Sequence, residues 1–267
     1  MDRCGMIDSC KMRSTIIESL VERLPADAIV TDVVVGIFWT FAQTQYGSAI
    51  SATAHRWCED TPGAIVPWAG DLTGMRVRDV AALYQSPSLP ARSLANACIS
   101  ASFAPSAMTG IPMRGKAQAL LESICQARTG RPRIALIGHF HFADGLRALG
   151  YPLDVYELDG RCKEGDIPSS RIPETLPLAD IVVMTSSTII THSTEAILSS
   201  CRADAYKMIV GPTVPLHPVL WEFGFDAVCG STITDPVQVR MTAAQGGTHK
   251  QMTGADKINY LRHPLVA

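Results

Sequence analysis

The chain has 267 residues, of which 47% are hydrophobic, and its formal net charge at pH 7 is −2. This length allows one large domain or two modest ones, each with a real core. The near-neutral charge argues against a nucleic-acid-binding surface, and no apolar run is long enough to span a bilayer. The first residues also lack the apolar core of a signal peptide, so we expect a cytoplasmic protein.

The eight cysteines are scattered along the chain, and none forms a CxxC pair. In a reducing compartment we expect them as thiols that pack as small hydrophobes. A metal role for Cys4 and Cys10 is the alternative for that pair, although the segment around them looks frayed.

The first hundred residues predict strands followed by helices, which is an α+β arrangement. Apolar residues at helical spacing predict a helix over 13–24. Segments 29–38 and 48–54 predict two strands that pair as a meander. Segments 77–84 and 90–103 predict two helices, the second with a small-residue face suited to close packing.

The rest of the chain alternates strands with helices, a pattern that predicts a parallel, doubly wound sheet. The predicted strands are 134–137, 153–158, 179–184, 207–210 and 225–229. The predicted helices are 115–127, 142–149, 193–202 and a short one between Pro215 and Pro218. In such sheets ligands bind beyond the carboxyl ends of the strands, so the loops there are the candidate site.

The loop Gly138-His139-Phe140-His141 follows the first of these strands. A glycine at this position lets the backbone turn sharply toward a ligand. The bulky residues after it do not match the GxGxxG fingerprint, which argues against a standard NAD site. His139 lies closest to the strand end and is the candidate to face the cleft as a proton donor or metal ligand. The alternative is that one histidine lines the cleft and the other caps a helix.

Asp159 follows the second strand, about twenty residues after the glycine loop. Dinucleotide-binding folds hold a ribose hydroxyl with an acidic residue at this place. Alternatively, Asp159 caps the turn at Gly160.

Two further loops carry candidate ligand contacts. Thr185-Ser186-Ser187-Thr188 offers hydroxyl and amide donors to an anion or a carbonyl, whereas helix capping would need only one hydroxyl. The loop from Gly211 and Pro212 to His217 is stiffened by two prolines and gives a rigid frame for that histidine or for backbone donors. A later segment, 245–250, either closes over an anion or is a flexible tail.

Three histidines, His139, His192 and His217, follow separate strands. If they meet in one cleft, with Cys229 or an acid, they form a site for a soft or borderline metal. Such ligands would be assembled only by tertiary folding, so their spacing alone does not establish the site.

The chain resembles the DUF364 family, which is labelled a heavy-metal chelation domain. The resemblance rests on the segments I-G-H-F, D-I-V-V-M-T-S-S-T-I-I, V-G-P-T-V-P-L-H-P-V-L-W-E-F-G-F-D and Q-G-G-T. The first part is similar to DUF4213, the usual N-terminal partner, at Gly70–Gly74 and at 90–97. The resemblance implies an α/β protein: a Rossmann-like parallel-sheet domain over 111–267, preceded by a smaller α+β, enolase N-terminal-like domain over 1–110.

The resemblance also implies a ligand site in a cleft between the two domains. The residues that it indicates are Gly138, His139, Phe140, Thr185, Ser186, Ser187, Thr188, Gly211, Pro212 and, more weakly, Asn96. It implies a transition metal or a metal chelate as the bound group. The chain departs from the family pattern at Thr191-His192, which puts a role for that loop in doubt or makes His192 a local specialisation.

Three functions remain open from the sequence. The first is small-molecule or metal-chelate binding, with or without catalysis on a chelator or a metal cofactor. The second is a metal-binding or carrier protein that uses the strand-end histidines, and the third is a nucleotide-dependent enzyme. No nucleophile–base pair is visible, so the sequence names no reaction. A homodimer is the commonest assembly for a chain of this kind.

Overall fold

The computed structural model describes residues 15–54 and 64–265. Cys4, Cys10 and Cys58 lie outside these residues. The chain is a mixed α/β protein with a small three-stranded antiparallel sheet and a separate, mostly parallel sheet of eight strands. We call the parts that hold them the N-terminal region (residues up to 103) and the C-terminal region (residues from 111).

The described part of the N-terminal region contains three strands and three α-helices, where the sequence predicts two strands and three helices in the same α+β arrangement. They are α1 (Ile16–Glu22), β1 (Val30–Val35), β2 (Trp39–Thr44), β3 (Gly47–Ala52), α2 (Val77–Ala81) and α3 (Leu89–Ala101). Helix α1 begins with a capping box, in which Thr15 and Glu18 each accept a hydrogen bond from the other's backbone N–H. The small-residue face of α3 is buried at Ala95, Ala97, Cys98 and Ala101.

Strand β2 is absent from the sequence-based prediction. The strand predicted over 29–38 ends at Val35, and β2 pairs with both β1 and β3. The predicted direct pairing of the first and last strands is therefore wrong. The turn between β1 and β2 contains Ile37 and Phe38, whose apolar side chains are typical of a strand and hide the turn from the sequence pattern.

The C-terminal region contains eight strands and seven helices. They are β4 (Ile111–Arg114), α4 (Ala117–Gln126), β5 (Ile134–Ile137), α5 (Ala143–Ala148), β6 (Leu153–Glu157), β7 (Ile167–Pro168), α6 (Ile172–Thr175), β8 (Ile181–Thr185), α7 (Ser187–Ile190), α8 (Thr194–Ser200), β9 (Tyr206–Val210), α9 (Val219–Glu222), β10 (Ala227–Ile233), α10 (Pro236–Ala244) and β11 (Ala255–Leu261). The short helix begins after Pro218 and not before it, because Pro218 is its N-cap.

The strand order of the large sheet is β4-β11-β10-β9-β8-β5-β6-β7. All strands from β10 to β7 in this order are parallel, and β11 runs antiparallel to β10 and β4. From β5 the chain continues to β6 and β7 on one side, and it then returns to form β8 on the other side of β5. This arrangement is a topological switch point, the place where open α/β sheets bind ligands.

Helices cover both faces of the large sheet. Ile134 and Leu136 of β5 pack in one cluster with residues of α4 and α5. The alternate residues, Ala135 and Ile137, pack in a second cluster that includes the helices of the N-terminal region. Because β5 is buried on both faces, its sequence is a continuous apolar run, and this run made the strand predictable.

Thr213 joins the two regions through buried hydrogen bonds. Its carbonyl accepts from Nδ2 of Asn96 at 2.8 Å, and its hydroxyl accepts from the backbone N–H of Ala52 at 2.9 Å. Asn96 is fully buried and also donates to Ser51 at 3.2 Å. Asn96 therefore has a structural position between the regions. In the described part of the chain, no helix has the length and apolar character needed to cross a bilayer.

Candidate functional site

The loop after β5 turns at Gly138, whose φ is +95°. A Cβ atom here would lie 3.0 Å from the Thr185 methyl carbon, so both the backbone angle and the close approach require glycine. The Gly138 N–H donates to the carbonyl of Tyr156 at 2.8 Å, which holds the turn against β6. The turn places His139 at the carboxyl edge of the sheet.

His139 lies between two carboxylates. Its Nδ1 is 3.0 Å from Glu157 Oε2, and its Nε2 is 2.7 Å from Asp166 Oδ2. Because a carboxylate only accepts hydrogen bonds, both contacts are hydrogen bonds at once only when the ring carries both protons. The two carboxylate side chains are 10% and 6% exposed. We call these three residues the His139 triplet.

Asp166 is also held by its own loop, since it accepts the Lys163 N–H at 2.7 Å. Burial alone would raise the pKa of Asp166, but the hydrogen bonds from the Lys163 N–H and His139 outweigh it and hold the pKa below its usual value. Sequence reasoning missed both acids. Glu157 is the last residue of β6, so the rule that ligands bind beyond the carboxyl ends of strands was enough to identify it. Asp166 lies in no sequence pattern that marks it as a site residue.

A cavity of about 470 Å³ lies beside the triplet. We call it the first cavity. This volume falls within the range of small-molecule sites, roughly 300–1,000 Å³. Its apolar walls include Ile137, Ile172, Pro173 and Ile197. Its polar lining includes Gly138, His139, Glu157, Arg161, Ser169, Thr185, Ser187, Thr188, Thr191 and Ser193.

The four hydroxyl residues after β8 have different surroundings. Thr185 and Ser187 line the first cavity. Thr188 also lines it, but its hydroxyl donates to the Thr185 carbonyl and accepts from Thr194, both at 2.8 Å. Ser186 is buried, and its N–H donates to the Val210 carbonyl. The structure thus brings three of the four predicted residues to the cavity.

Gly211, Pro212 and Phe140 line a different cavity of about 260 Å³, the second cavity. Thr185 belongs to both cavities. Gly211 has φ +142°, and a Cβ there would come within 2.2 Å of the Ser186 hydroxyl oxygen, so only glycine fits. The three loops predicted to converge on one cleft instead border two adjacent cavities.

The described residues that line the first and second cavities all belong to the C-terminal region. A third cavity of about 330 Å³ shares Pro212, Ser231, His249 and Lys257 with the second, and Ile50 of the N-terminal region contributes to it. Asn96 lines none of these three cavities.

Asp159 does not line the first cavity, although Leu158 and Arg161 do. Its carboxylate accepts from the Ser169 hydroxyl at 2.9 Å and from the Ser170 N–H at 3.0 Å. The hydrogen bonds from Ser170 and then Ser169 lower the pKa of Asp159. These bonds tie the Asp159 carboxylate to the segment after β7, ten and eleven residues further along the chain, and not to the turn at Gly160.

Neither His192 nor His217 lines the first or the second cavity, although Thr191 and Ser193, the neighbours of His192, line the first. The His217 ring is 4.5 Å from that of Phe103, and its Nδ1 accepts the Val219 N–H at 3.1 Å. His192 has φ +57°, and its ring lies 4.2 Å from that of Tyr84. Burial lowers the pKa of both histidines, with smaller contributions from Arg23 at His217 and Arg92 at His192.

The predicted meeting of three histidines is therefore not found. Among residues 15–54 and 64–265, no group of three or more His, Cys, Asp or Glu side chains is placed to hold a metal ion. In the His139 triplet, the two carboxylates lie on opposite ring nitrogens and so do not converge on one point. Cys229 is buried and lines the second cavity.

Comparison with protein-family models identifies both parts of the chain. The DUF364 model matches residues 120–262, and the DUF4213 model matches residues 17–103. Each carries the description "Putative heavy-metal chelation". A comparison with curated proteins finds no match.

Two solved structures share the fold over nearly the whole chain. A DUF364-family protein of Desulfitobacterium hafniense DCB-2 is 20% identical with a TM-score of 0.76, covering 92% of this chain and 97% of its own. A DUF364-family protein of Pyrococcus horikoshii is 18% identical with a TM-score of 0.69, covering 92% and 98%. At these identities the similarity establishes the architecture only.

Proposed function

Because the chain belongs to the DUF364 family, whose description concerns heavy-metal chelation, we propose that it binds a small organic chelator or its metal complex in the first cavity. The His139 triplet at the cavity wall carries this proposal. It is a preformed charged network in a pocket of small-molecule size, at the switch point of the sheet.

The lining of the first cavity fits an organic molecule with oxygen-bearing groups. Six apolar side chains, those of Ile137, Leu158, Ile172, Pro173, Ala196 and Ile197, offer contact to a carbon skeleton, and hydroxyl side chains in the lining serve as donors and acceptors. Arg161 supplies a cationic donor with a fixed planar shape, which suits carboxylate or hydroxamate oxygens.

Acidic side chains outnumber basic ones in the triplet. Two carboxylates flank a single imidazole ring, which favours a cationic complex or a ligand with a positively charged group. Since Glu157 and Asp166 already fix the ring, little ordering of His139 is needed when a ligand binds. In this proposal the ligand brings donor atoms of its own to the metal.

The test is metal and ligand analysis of the full chain purified without a His-tag. Native mass spectrometry detects co-purified molecules. Equilibrium dialysis then compares Ni²⁺, Co²⁺, Cu²⁺, Zn²⁺ and Fe³⁺ offered as bare ions with the same metals offered as citrate or histidine complexes. We expect one of the complexes to bind stoichiometrically and His139→Gln to weaken that binding about tenfold, because one hydrogen-bonding side chain is lost.

His263→Gln is the matched control, because His263 is exposed and lines none of the three cavities. Equal uptake of bare and complexed metal would favour the alternative of direct metal binding. If no complex binds and no molecule co-purifies, or if both histidine variants behave alike, the proposal is wrong.

A further inference from the structure

The second cavity is lined by basic side chains. Lys116, His141, His249 and Lys257 line it, and the adjoining third cavity adds Lys250. Among residues 15–54 and 64–265, no Asp or Glu belongs to the lining of either cavity. None of the three lysines has an ion-pair partner among the described residues. We propose that the second cavity binds an anionic small molecule through a phosphate or carboxylate group.

Strand pairing directs polar side chains into this cavity. In the antiparallel pair β10 and β11, Cys229 lies opposite Asn259, and Ser231 lies opposite Lys257. Because side chains alternate along a strand, these four residues share one face of the sheet, and all four line the cavity. The sheet thus places Lys257 beside hydrogen-bonding groups that can orient an anion.

Asn259 also contacts the segment that begins α4, which forms another wall of the cavity. Asn259 is buried, and its Nδ2 donates to the Gly115 carbonyl at 3.2 Å. Lys116, which follows Gly115, is the N-cap of the ten-residue helix α4 and makes no side-chain capping hydrogen bond. Lys116, Ala117 and Gln118 all line the cavity. The first N–H groups of α4 and the positive end of its dipole therefore add to the charge of Lys116.

The pKa shift of one lining residue, His249, is the one expected beside positive charges that no acid neutralises. Burial, then Lys257 and then His141, lowers the pKa of His249, and no acid opposes this shift. Burial raises the pKa of the Cys229 thiol, so the thiol stays neutral and adds no negative charge. A bound anion would neutralise Lys116 and Lys257 and raise the pKa of His249. Binding should accordingly strengthen as the pH falls.

This inference does not rest on the proposed function of the first cavity. The two cavities have different linings except for Thr185. The His139 triplet lies outside the second cavity, so His139→Gln should leave anion binding there unchanged.

The experiment is isothermal titration of the full chain with inorganic phosphate and, separately, with citrate, at low ionic strength. We expect at least one anion to bind and the double variant K116Q/K257Q to weaken its binding about tenfold or more, because two nearby charges are lost. Arg78→Gln is the control, since Arg78 is exposed on α2 and lines none of the three cavities.

Binding of phosphate alone or of citrate alone would support the site and identify its preferred group. Denaturation midpoints should show that the double variant folds normally, since both lysines are exposed. The inference is overturned if neither anion binds at millimolar concentration, if the double variant binds like the wild type, or if Arg78→Gln causes the same loss.

Discussion

The first and second cavities lie on the same edge of one sheet, but their charges are arranged in opposite ways. In the first, His139 is paired with Glu157 and Asp166 at 3.0 and 2.7 Å. In the second, Lys116 and Lys257 have no ion-pair partner in the described chain. Removing one partner of a buried charge pair destabilises the fold that holds it, whereas unpaired like charges weaken the fold until a counterion binds. The comparison separates a wall whose charged groups already have partners in the protein from one whose lysines have none among the described residues.

The largest loss of stability is expected at Gly211, in the turn that borders the second cavity and packs against Ser186. Gly211→Ala should destabilise the protein by about 3 kcal/mol, combining the cost of a positive φ with that of overpacking against Ser186. Gly138→Ala should cost less, because its closest neighbour is a methyl group at 3.0 Å.

Gly224→Ala is the control for backbone angle alone, since its φ is +88° and no atom lies within 4 Å of the added Cβ. We expect it to cost about 1–2 kcal/mol. Urea denaturation gives the three values, and equal losses in all three variants would show that Gly211 does not fit tightly against Ser186.

Removing one charge from each cavity tests the difference in pairing directly. Asp166→Asn should lower the free energy of unfolding by about 1.5–3 kcal/mol, because it replaces the charged oxygen that accepts from His139 and the Lys163 N–H by a neutral amide in a nearly buried site. Lys257→Gln should change it by no more than about 0.5 kcal/mol, the range for exposed residues.

Chemical denaturation of both variants at pH 7 and low salt provides the comparison. A loss at Lys257→Gln as large as that at Asp166→Asn would mean that the lysine is a structural partner and that the contrast between the cavities fails.

A smaller effect should appear when the pH is changed. The pKa of His217 is lowered in the folded protein mainly by burial, so the unfolded chain binds a proton more readily. Stability is therefore complete above the unfolded value of about 6.5 and is lost as the pH falls through that value toward the folded pKa. His192 and His249 shift in the same direction.

Melting temperatures at pH 7.5 and 5.5 measure this loss, and His217→Asn should reduce it. Saturating phosphate should also reduce it if the second cavity binds anions, because the anion would raise the pKa of His249. A stability that is independent of pH in this window would contradict the prediction.

The sequence predicted most of the C-terminal region because its buried strands are continuous apolar runs between glycines and prolines. It missed β11 and α10, since β11 begins with Ala255, Asp256 and Lys257, which are uncommon in strands, and α10 carries little helical periodicity. It placed Gly138, His139 and Thr185 at one cavity through the strand-end rule. It could not pair His139 with Asp166, because that contact depends on the path of a loop 27 residues away.

Thr213 has a consequence for how the protein unfolds. It accepts a hydrogen bond from Asn96 and another from Ala52, directly beside the Gly211–Pro212 turn that borders the second cavity. If the N-terminal region unfolded first, the hydroxyl and carbonyl oxygens of Thr213 would lose their hydrogen-bond donors. The Gly211–Pro212 turn would then lose its attachment to that region. The two regions should thus melt in a single cooperative transition despite having separate sheets, and calorimetry would show one peak with matching calorimetric and van't Hoff enthalpies.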